Sequence, residues 1–70
     1  MPKKIRELKA MLLKAGFDCK PGKGSHTRWR HSLLPEHPLT LSGKDGSDAK
    51  PYIEKEVEFR LRLLEERKQS

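Results

Sequence analysis

The sequence predicts an α+β domain with the element order α-β-β-β-α, in which a three-stranded antiparallel sheet carries both helices on one face. Apolar residues recur at helical spacing near both ends of the chain, and apolar and polar residues alternate over short central stretches. Glycines and prolines separate these stretches, so short hairpin connections are expected between consecutive strands. Residues 1–70 are expected to form a single domain.

The first helix is predicted over residues 2–15. Pro2 is tolerated in a first helical turn, and Gly16 suits the position just past the end. The apolar residues that face the core at helical spacing are Ile5, Leu8, Leu12 and Ala15.

Two strands joined by a glycine-containing turn should follow this helix. Residues 17–20 are expected to form the first strand, with Phe17 and Cys19 pointing inward. Residues 21–24 turn the chain, and residues 25–32 return as the second strand.

The remainder of the chain is predicted as a loop, a strand and a long helix. Residues 33–38 contain two prolines and form the loop, and residues 39–42 alternate apolar and polar side chains as a third strand with both leucines buried. Ser47 or Asp48 is a candidate helix cap, with Pro51 in the first turn. A helix to about residue 68 would be longer than the sheet requires. Its C-terminal part is therefore expected to contact another chain, as a homo-oligomer or hetero-oligomer.

The charge of the chain indicates a polyanionic partner. The formal net charge is +6, and residues 1–50 hold eleven Lys or Arg against five Asp or Glu, whereas residues 51–70 hold five of each. Such a basic surface attracts nucleic acid first and anionic membranes second. No apolar run has the length of a membrane span or signal peptide, and the single cysteine cannot form an internal disulfide, so a cytoplasmic protein is expected.

The basic residues concentrate in residues 20–31, which contain four Lys or Arg, two His and the only Trp, but no Asp or Glu. In an extended strand, His26, Arg28 and Arg30 would project from one face. Thr27, Trp29 and His31 would then project from the other face, which can be buried.

The chain resembles the HicA toxins of bacterial toxin-antitoxin pairs. The specific motifs are Ala15-Gly16-Phe17 and Lys23-Gly24-Ser25-His26 followed by Trp29, and residues 42–46 and 48–52 resemble one branch of the family. In that branch a glycine-rich turn replaces a Pro-x-His turn. The resemblance implies a fold similar to the double-stranded-RNA-binding domain, metal-independent endonuclease activity on messenger RNA without a cofactor, one essential histidine at His26, and neutralisation by a HicB antitoxin.

The residue types are themselves suited to RNA cleavage without a metal ion. RNA supplies its own nucleophile, the 2′-hydroxyl, so cleavage needs a proton acceptor, a proton donor and positive charge near the phosphate. Histidine suits proton transfer near neutral pH, and His26 is the candidate catalytic residue. The candidate RNA-binding and phosphate-binding residues are Lys20, Lys23, Gly24, Ser25, Arg28, Arg30 and Lys44.

A second acid or base is not evident. Strand alternation places His31 opposite His26, beside Trp29, and His37 falls in a loop. Lys23 or water is then left as the proton donor.

Three other interpretations remain open. A double-stranded-RNA-binding module without catalysis would use Lys3, Lys4, Lys23 and Lys44 for phosphate contacts. Trp29 is expected in the core, but an exposed Trp would stack on an unpaired base. A zinc site would need Cys19, His26, His31 and His37, whose spacings match no compact zinc finger.

Overall fold

The computed structural model describes residues 3–69 and confirms the α-β-β-β-α order. Its elements are α1 (Ile5–Lys14), β1 (Asp18–Pro21), β2 (Thr27–Arg30), β3 (Leu39–Leu41) and α2 (Pro51–Gln69). The three strands form one antiparallel sheet in the order β1-β2-β3. Two hairpin connections therefore suffice to build the sheet, as predicted.

Strand register decides which side chains share a face. Asp18 lies opposite Arg30, and Lys20 lies opposite Arg28, which in turn pairs with Thr40 of β3. All five of these residues are exposed. They form the open face of the sheet, on the side away from the helices.

The other face of the sheet is buried against the helices. Trp29 is the largest fully buried side chain, with 1% of its surface exposed, and Leu39 and Leu41 are buried beside it. The Trp29 indole Nε1 donates a hydrogen bond to the Thr27 hydroxyl at 2.9 Å, so its one polar group is satisfied. Trp29 is thus a core residue as predicted, and stacking on an RNA base is excluded.

Helix α1 begins at Ile5, later than predicted, and the expected first residue, Pro2, lies outside the described residues. The backbone amides of Ile5 and Arg6 donate to the carbonyls of Ser47 and Asp45, at 2.9 and 3.1 Å. The loop after β3 thus satisfies amides that have no partner inside the helix. An ion pair of 2.5 Å between Lys4 Nζ and Asp48 Oδ1 adds to this attachment.

Helix α1 ends where the sequence predicts. The amide of Gly16 donates to the Leu13 carbonyl and that of Phe17 to the Leu12 carbonyl, both at 3.0 Å. This pair of bonds is a Schellman motif.

The prediction that Cys19 points inward holds for its strand register but not for its burial. Cys19 lies opposite Trp29 and therefore on the face toward the helices, but β1 is an edge strand and the thiol is exposed. Phe17 is buried as expected, although it precedes β1. The second strand is also shorter than predicted, because the chain at His26 belongs to the hairpin loop.

Helix α2 begins at Pro51, so the predicted cap at Ser47 or Asp48 is wrong. The carbonyl of Lys50 accepts the amides of Ile53 and Glu54, and Pro51 fits the first helical position because no amide is needed there. Helical spacing predicts an apolar stripe of Ile53, Val57, Leu61 and Leu64, and all four are buried or partly buried. Leu63, expected to widen the stripe, is partly buried, but Tyr52 and Phe59, expected to do the same, are exposed.

The C-terminal half of α2 packs on the loop between β2 and β3. Arg60 is 9% exposed and donates from Nε to the His37 carbonyl and from Nη2 to the Pro38 carbonyl, both at 3.1 Å. Arg67 Nη1 donates to the Leu33 carbonyl at 2.6 Å. This part of the helix therefore has a role within its own chain, and association through its exposed side stays a prediction.

Within residues 3–69, neither helix is both long and apolar enough to cross a membrane.

Candidate nucleic-acid interface

The loop between β1 and β2 holds His26 in a tight turn. The Gly22 amide donates to the His26 carbonyl at 2.8 Å, and the His26 amide donates to the Lys23 carbonyl at 3.1 Å. Gly24 has a φ of +60°, which glycine adopts without steric cost. Both backbone groups of His26 are therefore fixed by the loop.

Gly22 is packed directly against His26. A Cβ atom at position 22 would lie 3.1 Å from the His26 carbonyl oxygen and 3.5 Å from the His26 Cβ. Any side chain here would push His26 away or open the turn. Gly22 is thus a positioning residue that the sequence analysis missed, although a second glycine in so short a turn was a signal.

The imidazole of His26 is exposed and forms no hydrogen bond or ion pair with any other described residue. Its position is set by the backbone, while both ring nitrogens stay accessible. A histidine held this way can accept or donate a proton at a bound molecule.

Arg28 and Arg30 are exposed on the open sheet face and Trp29 between them is buried, as strand alternation predicts. Lys20 lies directly opposite Arg28, a like-charge pair that destabilises a sheet. None of these three cations pairs with an acid in the part of the chain that the structure describes. The arrangement is unfavourable for the sheet itself and favourable for binding an anion.

Several cations elsewhere in the chain have structural partners. Lys9 pairs with Asp45 at 2.6 Å, and Arg67 pairs with Glu36. Lys4, one of the four lysines of the non-catalytic RNA-binding interpretation, is held by Asp48. The hydrogen bond from Arg67 keeps the pKa of the Glu36 carboxyl below its usual value.

Lys23, Gly24 and Ser25 form the exposed tip of the hairpin loop. Lys44 is exposed in the loop after β3. Because Thr27 pairs with Leu41, the chain segments at His26 and after β3 leave the sheet at the same end. Lys23, His26 and Lys44 are thus brought to one end of the sheet, and Lys20, Arg28 and Arg30 lie on the face that starts there.

The two other histidines have structural contacts. His31 Nδ1 accepts the Leu33 amide at 3.0 Å, and its ring meets Phe17 edge to face with centroids 5.1 Å apart. The ring of His37 packs edge to face on Phe59 at 5.4 Å. Both are half-buried, so His26 is the exposed histidine of residues 3–69.

The residues of the zinc interpretation do not form a ligand set. Nowhere in residues 3–69 do three His, Cys, Asp or Glu side chains lie close enough together to hold a metal ion. Cys19 is on the edge strand, His26 is in the hairpin loop, and His31 is engaged with Leu33 and Phe17.

Comparison with known proteins gives one finding. The family model described as HicA toxin of bacterial toxin-antitoxin matches residues 5–65, which include both helical cores, the sheet and the hairpin loop. No curated protein and no solved structure gives a significant match.

Proposed function

The chain belongs to the HicA family of toxins from bacterial toxin-antitoxin systems, and we propose that its toxic activity is metal-independent endonucleolytic cleavage of messenger RNA, with His26 as the acid-base residue. Family membership implies a cognate antitoxin. The proposed place of action is the cytoplasm, where messenger RNA is available.

The proposed reaction is transesterification within the RNA. The 2′-oxygen attacks the adjacent phosphorus as His26 takes its proton, and the bond from phosphorus to the 5′-oxygen breaks. The products are a 2′,3′-cyclic phosphate and a 5′-hydroxyl. Arg28 and the adjacent Lys20 stabilise the charge on the phosphate oxygens, and Lys23 or a water molecule protonates the leaving oxygen.

One observation carries the proposal: the imidazole of His26 has no partner in residues 3–69, yet its backbone is fixed at the edge of a sheet face on which Lys20, Arg28 and Arg30 form no ion pair. A histidine that only stabilised the fold would have contacts like those of His31 and His37. Unpaired cations beside it supply the electrostatic stabilisation that phosphate transfer requires.

The antitoxin, which we propose to be of the HicB type, neutralises the toxin by covering His26. The cationic face around Arg28 would be complementary to an acidic surface, which also accelerates association. Binding to the folded toxin alone would stabilise it by mass action.

Controlled expression tests the proposal. Wild type is expected to arrest growth and to degrade messenger RNA, whereas His26→Ala is expected to do neither. Because the imidazole forms no hydrogen bond or ion pair within residues 3–69, the variant should fold as well as wild type, and circular dichroism of the purified proteins checks this.

Two results would contradict the proposal. Degradation of RNA by the folded His26→Ala variant would show that His26 is not the acid-base residue. Intact RNA with both proteins, together with equal binding of duplex RNA, would instead support a non-catalytic binding module.

A further inference from the structure

A pocket of about 250 Å³ opens on the sheet face beyond the cationic cluster. Asp18, Lys20 and Arg30 contribute its polar strand side, and Ser32, Pro35 and Pro38 of the following loop contribute the opposite side. One wall of the pocket is therefore charged and the other contains two prolines, and this volume suits a single flat ring system with polar edges.

The loop side of the pocket is held in place by the rest of the fold. Leu34 is buried, and His31 is fixed by the Leu33 amide and the Phe17 ring. Arg60 binds the carbonyls of His37 and Pro38 from the other side. The pocket is therefore preformed.

The polar groups of the pocket are unusual because an acid and a base face each other without pairing. Asp18 and Arg30 are directly opposed in the register, yet neither forms an ion pair or hydrogen bond through its side chain within residues 3–69. Both charged groups are thus available to one ligand.

Lys20 and Arg30 attract a phosphate, but a phosphate in this pocket would leave the Asp18 carboxylate repelled and without a partner. A nucleobase satisfies both groups. Guanine presents two adjacent N–H donors on its Watson–Crick edge, which match the two oxygens of a carboxylate. It also presents O6 and N7 as adjacent acceptors, which match the fork of an arginine.

We propose that this pocket binds an unpaired guanine of the RNA substrate, read by Asp18 and Arg30. The proposal rests on the proposed ribonuclease function for the nature of the ligand. Thr27, the neighbour of His26, is three residues from Arg30, a distance of about 10 Å along the strand. One RNA strand lying along β2 would reach both the pocket and His26, with Arg28 at the phosphate between them.

Titration with nucleoside monophosphates, followed through backbone amide resonances, tests the pocket without any cleavage. GMP is expected to shift the resonances of His31 and Ser32 and to bind about tenfold more tightly than AMP, CMP or UMP. Asp18→Asn should reduce this ratio toward one. Glu58→Gln removes the same charge from an exposed position on α2 and should keep the ratio.

A second measurement uses RNA and separates the two proposals. In the His26→Ala background, a uridine-rich octamer with one guanine should bind about tenfold more tightly than the same octamer with adenine, and Asp18→Asn should abolish the difference. Equal binding of all four nucleotides and of both octamers would overturn the guanine pocket, even if wild type cuts RNA. Guanine-selective binding by a wild type that never cuts RNA would support the pocket and contradict the nuclease.

Discussion

The cationic side chains of the candidate site form no ion pair within residues 3–69. Arg28 is exposed beside Lys20 without an acidic partner in the described chain, so its charge is available to a phosphate. Arg62, on α2, is also exposed and forms no ion pair in that same part of the chain. Alanine variants of the two arginines therefore allow a direct comparison of RNA binding.

Arg28→Ala is expected to weaken RNA binding about tenfold at low salt, whereas Arg62→Ala should change it less than twofold, because one direct phosphate contact is lost only in the first case. Fluorescence anisotropy in the His26→Ala background measures both. Equal losses for the two variants would show that net charge, and not the sheet face, determines binding.

Gly22→Ala is expected to lower cleavage several-fold without unfolding the protein. The new methyl group would lie 3.1 Å from the His26 carbonyl oxygen, tighter than ordinary contact, so the histidine must shift. Gly46→Ala is the control, since a Cβ atom there meets nothing within 4 Å. Cleavage rates and thermal melts of both variants check this, and unchanged cleavage by Gly22→Ala would contradict the role given to the turn.

At the scale of elements, α2 and the loop between β2 and β3 hold each other in place through two arginines. Arg60 is buried and its donors are taken by carbonyls of His37, Pro38 and Glu56, while Arg67 reaches the Leu33 carbonyl and Glu36. The loop forms one side of the guanine pocket. The helix therefore stabilises the pocket from the opposite side of the sheet.

Arg60→Ala is expected to destabilise the fold by about 2–4 kcal/mol, because a buried side chain is lost and partly buried carbonyls lose their donors. Arg62→Ala serves again as the control and should change the free energy of unfolding by less than about 0.5 kcal/mol. Urea unfolding measures both. A loss of stability for Arg60→Ala as small as that of the control would contradict the role of Arg60 in holding the loop between β2 and β3.

Glu36 is expected to make stability dependent on pH. Its pKa is lowered in the folded state, chiefly by the hydrogen bond from Arg67, so the folded protein favours the ionised form. The contribution is present above the ordinary pKa of 4.5 and is lost as pH falls through the lower folded value.

Urea unfolding between about pH 6 and about pH 3 should therefore show a smaller loss of stability for Glu36→Gln than for wild type. Glu58→Gln, at an exposed position without a partner among residues 3–69, should follow the wild-type profile. Because Glu36 lies at the surface, high salt should reduce the difference. Parallel profiles for wild type and Glu36→Gln at low salt would contradict this account.

The sequence predicted helices and strands correctly where buried residues recur at regular spacing. The alternation around Trp29 identified the buried and open faces of β2, and the spacing of Ile53, Val57 and Leu64 identified the inner side of α2. Periodicity gave the correct face but the wrong burial for Cys19, since exposure at a sheet edge depends on what the helices cover. It also could not indicate a buried arginine at position 60, because the carbonyls that satisfy Arg60 come from a distant loop.

At the scale of the whole molecule, the charge asymmetry of the sequence corresponds to different contacts in the fold. The balanced charges of α2 include Arg60 and Arg67, which form ion pairs, whereas the excess positive charge of residues 1–50 includes the unpaired cations of the open sheet face. The His26 motif could be recognised from sequence because it is contiguous. The pocket could not be recognised from sequence, because Asp18, Arg30 and Pro38 are far apart in the chain. They come together only when β1 pairs with β2 and the loop after β2 folds back beside them.

The most direct test of the central claim is cleavage of a labelled RNA by purified wild type and His26→Ala in the presence of a metal chelator, with analysis of the product ends. We expect wild type to leave a 2′,3′-cyclic phosphate and a 5′-hydroxyl, and His26→Ala to be slower by at least about a hundredfold. Equal rates for the two folded proteins, or cleavage that the chelator abolishes, would contradict the account.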